Sequence, residues 1–125
     1  TLFLITGWWD ISNYQSPYLE VESHTHELHI EEKCGYRSKV NCVPYDQLVS
    51  DLQQSVTFTN STNAFCFPYY EWTNNSINAV KEVGFKVAFI GGNRKASRND
   101  DKYKIPRYII YDSTKIDDFK KMVNP

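Results

Sequence analysis

The sequence predicts an α/β protein with a mostly parallel sheet, and three observations carry that reading. Short apolar runs suited to buried strands alternate with segments of helical periodicity. Turn-forming Gly, Pro, Asn and Ser residues separate them, as βαβ units require. The chain has 125 residues, which suits one domain and leaves little room for two.

Each element follows in order. Leu2-Phe3-Leu4-Ile5, closed by Thr6-Gly7, reads as a buried strand. Asp10 to Pro17 is polar and turn-rich, and Tyr18 to Val21 fits a short helix or strand. Ser23 to Glu32 holds all three histidines, and Lys33 to Pro44 reads as a surface loop. From Pro44 the pattern turns helical, with Tyr45, Leu48, Val49 and Leu52 on one face. The Ser/Thr/Asn cluster from Thr57 to Asn63 predicts a turn, and Ala64 to Tyr70 a buried strand. Thr73 suits the N-cap of a helix that points Ile77, Val80 and Val83 inward, with Gly84 just past its end. Phe85 to Ile90 predicts another strand, Asn93 to Lys102 a charged loop, and Tyr103 to Tyr111 a further strand. Thr114 with Asp117 has the form of a capping box ahead of Ile116, Phe119 and Val123.

Composition excludes several classes. Hydrophobic residues make up 41% and charged residues 23%, ordinary globular usage that argues against disorder and coiled coil. Fourteen Lys and Arg balance fifteen Asp and Glu, so no basic face for nucleic acid is expected. The longest apolar stretch, Leu2 to Trp9, is too short to span a bilayer. Cys34 and Cys42 would close a small loop in an oxidising setting, while the alternative is three free thiols with Cys66. There is no CxxC, so a thiolate zinc site has no support.

The three histidines lie within Ser23-His24-Thr25-His26-Glu27-Leu28-His29. Neutral imidazole is the commonest metal ligand, and such clustering points to a metal site. The helical HExxH arrangement is absent, and a polar surface loop without a ligand is the competing reading.

Val21 to His29 resembles the second motif of the polysaccharide deacetylases, the metal-dependent de-N-acetylases of carbohydrate esterase family four. Its spacing resembles the poly-N-acetylglucosamine deacetylase branch. Thr1 to Gly7 resembles that family's second strand, and Phe65-Cys66-Phe67-Pro68-Tyr69 its Arg-x-Pro-Tyr motif. Ile77 to Phe89 is similar to the helix and strand that follow, and Lys104 to Arg107 to a late Leu/Ile-Pro-Arg signature.

The resemblance implies most of a distorted (β/α)7 barrel lacking its first strand-helix unit, with about five strands supplied here. Residues 1–125 would then be an N-terminally incomplete deacetylase-like domain. His24 and His29 are implied as metal ligands, His26 as a neighbour, and Thr25 as a hydroxyl that braces the loop. Pro68 and Tyr69 would form the substrate-binding wall of the groove. The implied cofactor is a divalent metal, zinc first, with cobalt or nickel as alternatives. The implied substrate is an N-acetylglucosamine polymer at a bacterial cell surface, with no nucleic-acid partner.

The departures are as informative. The family's Thr-Phe-Asp-Asp motif, source of the third metal ligand and the base, is absent, and Asp10 is a weak substitute. The third-motif Arg is replaced by Cys66, and Arg107 is the candidate catalytic guanidinium in its place. No histidine follows His29 to serve as the late general acid. These gaps open a second reading, a catalytically inactive carbohydrate-binding or scaffold domain. A metal-carrying histidine loop is a third. An incomplete barrel also implies that a second chain or a missing segment covers its open edge. Trp8, Trp9, Tyr70 and Trp72 are candidates for stacking on sugar rings, against the commoner role of core aromatics.

Overall fold

The computed structural model describes residues 1–124. Four short strands, β1 (Leu2–Leu4), β2 (Val21–Ser23), β3 (Ala64–Cys66) and β4 (Val87–Phe89), form one sheet in the order β1-β2-β3-β4. Every pairing is parallel, with Leu4 beside Ser23, Ser23 beside Phe65 and Phe65 beside Ala88. Each strand is therefore added beside its predecessor, so all four carboxyl ends meet along one edge. Functional groups in such sheets gather on that edge.

Helix α1 (Tyr45–Thr59) connects β2 to β3, and α2 (Asn74–Val83) connects β3 to β4. Leu48, Val49 and Leu52 bury the inner face of α1, and Ile77, Ala79 and Val80 that of α2. They pack on Phe65, Phe67, Phe85 and Ala88. Strand alternation separates the two faces of the sheet. Phe65 meets Phe67 and Phe85 in the helix-side core, while its neighbour Cys66 lines a cavity on the other side.

Two local features match their sequence signals. Thr73 and Ser76 form a reciprocal capping box, worth about 1 kcal/mol, and Gly84 closes α2 at φ 95°. The predicted turn from Thr57 gives way: α1 runs on to Thr59 and stops at Asn60, whose φ is 51°. The extra turn has a tertiary cause, since Phe58 stacks on His26 with centroids 5.1 Å apart.

The strand predicted between Tyr103 and Tyr111 reduces to one parallel bridge, Phe89 to Ile105. Ile105 N–H donates to Ala88 O, and Ile90 N–H donates to Ile105 O, both at 2.9 Å. The ladder ends where the chain after β4 turns at Gly91-Gly92, the latter at φ 129°, and contact resumes only as Asn93 N–H donating to Arg107 O at 3.0 Å. Helix α3 (Ile116–Val123) lacks the predicted Thr114 cap, because Thr114 Oγ1 instead accepts from Tyr111 N–H. Its Ile116, Phe119 and Val123 are exposed.

Cys34 and Cys42 are joined as a disulfide, which resolves the earlier alternative, and Cys66 is a buried free thiol. No helix among the described residues is long and apolar enough to cross a membrane.

Candidate functional site

The histidine loop leaves β2 and is held from three directions. From the end of β1, Thr6 N–H donates to Thr25 O at 3.2 Å and Gly7 N–H to His26 O at 2.9 Å. Thr6 Oγ1 also meets His26 Nδ1 at 2.9 Å. A Cβ on Gly7 would lie 2.8 Å from His26 O, so only glycine permits this approach. From α1, the Asp51 carboxylate accepts His26 N–H at 2.9 Å and Glu27 N–H at 2.8 Å. One helical turn on, Ser55 Oγ bonds Ser23 Oγ.

Thr25 sits in this bracework at φ 77°, a left-handed conformation costly for a β-branched residue. Its hydroxyl, expected to brace the loop, is buried and without a partner. The bracing comes instead from Thr25's backbone carbonyl, Asp51 and Ser23. His26 is buried and turned to Thr6 and Phe58, a neighbour of the site rather than part of its opening.

His24 and His29 converge, with ring centroids 4.8 Å apart. Together with Phe3, Cys66, Phe67, Tyr69, Tyr70 and Arg107 they line one cavity of ≈ 320 Å³. His24 Nδ1 lies 2.6 Å from the Cys66 carbonyl oxygen. A carbonyl only accepts, so Nδ1 carries the proton and Nε2 keeps its lone pair, the state a metal ligand needs. Burial is the main force holding the His24 ring neutral, lowering its pKa from 6.5 to about 4. The Cys66 carbonyl opposes that shift, and the neighbouring His29 and Arg107 add to it electrostatically.

Tyr69 packs against His29 with centroids 4.6 Å apart. Tyr69 and Tyr70 both have left-handed φ, 53° and 63°, so the Pro68–Tyr70 turn is strained at two successive non-glycine residues. Gly91 lets Tyr70 close in, since a Cβ there would sit 2.9 Å from Tyr70 Cβ. Arg107 enters the same cavity. Its Nε donates to Ile90 O at 3.3 Å, while Nη2 is buried with no partner. Burial pushes the Cys66 thiol up, and the Arg107 guanidinium beside it opposes that shift. Pro68 is buried behind the wall. Asp10 caps the 3-10 turn Ile11–Tyr14 through Ser12 N–H and takes no part in the cavity.

Two imidazoles placed this way fit two positions of a divalent metal. A catalytic zinc centre takes three protein ligands. Among the described residues, no group of three His, Cys, Asp or Glu side chains converges. The donor pair fits and the third donor is lacking.

No family model matches the chain. The poly-beta-1,6-N-acetyl-D-glucosamine N-deacetylase of Staphylococcus aureus (strain MSSA476) is 28% identical over 104 residues, which are 79% of this chain. The Staphylococcus epidermidis protein of the same name is 28% identical over 102 residues, 78% of this chain. The chain is similar to the poly-N-acetylglucosamine deacetylases over most of its length. It spans about a third of their length, 36% and 35% respectively. The fold has solved counterparts. A de-N-acetylase from Aggregatibacter actinomycetemcomitans matches it with TM-score 0.67 at 20% identity, covering 90% of this chain and 50% of that one. A deacetylase domain from Bordetella bronchiseptica matches with TM-score 0.56 at 18% identity, covering 78% and 46%.

Sequence reasoning passed over Asp51, Phe3 and the Cys66 carbonyl. Asp51 alone left a trace: it is an acidic residue in a helix whose neighbours Leu48, Val49, Leu52 and Ser55 are buried.

Proposed function

We propose that this chain is the histidine-bearing part of a metal-dependent enzyme that removes N-acetyl groups from an N-acetylglucosamine polymer. The observation that carries the reading is the convergence of His24 and His29 on a cavity shared with Tyr69 and Arg107. Similarity to named poly-N-acetylglucosamine deacetylases supports the substrate class.

In this reading His24 and His29 hold the divalent metal, zinc first and cobalt or nickel in its place. When bound, the metal polarises the acetyl carbonyl and lowers the pKa of a water. The Cys66 carbonyl fixes the His24 tautomer, and Thr6, Gly7 and Asp51 fix the loop between the two ligands. Tyr69 forms the wall against which the sugar is placed, with Pro68 buried behind it. Arg107 acts through the free Nη2, a donor suited to the carboxylate that serves as base. That carboxylate and the third ligand come from a further segment or a second chain, which also covers the open edge of β1 and completes a barrel. A cell-surface setting agrees with the Cys34–Cys42 disulfide.

This chain alone is expected to be inactive, so the test is release of free amines from β-1,6-linked N-acetylglucosamine oligomers by the full-length protein loaded with zinc or cobalt. Wild-type activity that is lost in His24→Asn and His29→Asn supports the reading. Absence of activity at any metal content overturns it.

The lack of a third donor favours a second reading, a scaffold that binds the polymer without cleaving it. It predicts oligomer binding with no amine release and no dependence on His24.

A further inference from the structure

We infer that the disulfide-closed loop Cys34–Cys42 is a positioning element for the groove wall, and that Arg37 is the residue through which it acts. The inference rests on the reading of Tyr69 as the wall of a deacetylase site.

The loop is tied down independently of Tyr69. The Cys34–Cys42 disulfide closes it, and Val40 inside it is buried in the main core. Glu32 N–H donates to Arg37 O at 2.9 Å, and Glu31 and Ser38 form an antiparallel bridge. From this frame the Arg37 guanidinium lies 4.5 Å from the centre of the Tyr69 ring. Glu31 holds that guanidinium in place, accepting from Nε at 2.6 Å and pairing with Nη2. The adjacent Ser38 N–H donates to Glu71 Oε2 at 2.9 Å. Positions 37 and 38 therefore grip positions 69 and 71, on either side of Tyr70.

That grip falls where the backbone needs it. Tyr69 and Tyr70 are both held at left-handed φ, a conformation that persists only when its surroundings impose it. The Tyr69 ring meets His29 at 4.6 Å, so a shift of the wall moves the surface facing a metal-binding histidine. Arg suits this role better than Lys, because its planar group pairs with Glu31 and stacks on the ring together. Arg37 touches no reacting atom, so it is a positioning residue.

The experiment compares wild type, Arg37→Gln, Arg37→Lys and the Cys34→Ser/Cys42→Ser double variant. The first readout is the His29 ring-proton shift, measured by NMR on histidine-labelled, metal-free protein, because a displaced Tyr69 changes its ring current. We expect a resolved His29 shift in Arg37→Gln and in the double variant, with partial recovery in Arg37→Lys. The second readout is kcat and KM on acetylated oligomers with zinc, where we expect kcat/KM to fall about tenfold in Arg37→Gln. An unmoved His29 signal in Arg37→Gln overturns the inference, since that exposed side chain is not needed for folding. A moved signal in a protein whose wild type shows no deacetylation supports it and overturns the activity reading instead.

Discussion

Acid should weaken the metal-free protein through one side chain, His24. Its pKa in the folded state is about 4 against an ordinary 6.5, with burial as the largest cause. The folded state therefore prefers neutral His24, and the unfolded chain takes up the proton first as pH falls. Stability is complete above about pH 6.5 and declines towards pH 4, where the folded site itself protonates. At 1.36 kcal/mol per pKa unit, the full loss is about 3 kcal/mol. That is a large fraction of the roughly 5–15 kcal/mol that stabilises a typical domain. Asp51 works the other way, since burial raises its pKa despite the two N–H groups it accepts. Its contribution is present at low pH and is lost as pH rises through the carboxylate range, so it does not explain an acid loss. The assay is denaturant unfolding in EDTA from pH 7.5 to pH 4, for wild type and His24→Asn. Asparagine keeps a donor near the Nδ1 position facing the Cys66 carbonyl but does not titrate. The stability difference between the two proteins should shift by about 3 kcal/mol in favour of the variant across this range. Parallel curves would refute the burial argument for His24.

Three further predictions concern the frame around the histidines. Asp51→Ala removes both acceptors for His26 and Glu27 N–H, and should cost about 2–4 kcal/mol in chemical denaturation while weakening zinc binding by calorimetry. Gly7→Ala places a methyl 2.8 Å from the His26 carbonyl, and should cost about 1–3 kcal/mol with displaced His26 signals in NMR spectra. Glu22, fully buried, accepts from Ser61 Oγ at 2.6 Å and Ala64 N–H at 3.0 Å. Glu22→Gln should cost only about 1 kcal/mol, because the Ser61 hydroxyl can turn to accept, whereas Glu22→Ala should cost about 2–4 kcal/mol, read as melting temperature.

Much of this architecture was legible from periodicity and punctuation. The α2 caps at Thr73 and Gly84 are local chemistry, and the structure repeats them. The clustering of the three histidines was equally visible, and two of them do share a cavity. What failed depended on distant partners. The last turn of α1 is held by the stack of Phe58 on His26, residues 32 apart, and the final strand is cut short where the chain beside it turns at Gly92. Thr25 was expected to act through its hydroxyl, yet the loop uses its carbonyl. Side-chain type signals that a position is special without saying which atom makes the bond. Arg37 left no trace, because nothing in the spacing of residues 37 and 69 foretells their stacking.

The two halves of the proposed site place different demands on the chain, and this explains why one can be ordered without the other. Metal-binding histidines need a fixed tautomer and a fixed separation, and both are met within the sheet: by the Cys66 carbonyl at the end of β3, and by Thr6, Gly7 and Asp51 around the loop. The carboxylate half needs a counter-charge waiting for it. The buried Nη2 of Arg107 is such a group, and leaving it unpaired costs free energy that an incoming carboxylate would recover. Burial is the main force that keeps His24 neutral, and the same guanidinium adds a smaller push in that direction. Arg107 thus links the two halves. Replacing it with Gln should leave the loop intact, weaken capture of the carboxylate proposed as base, and raise the His24 pKa only slightly, because burial remains.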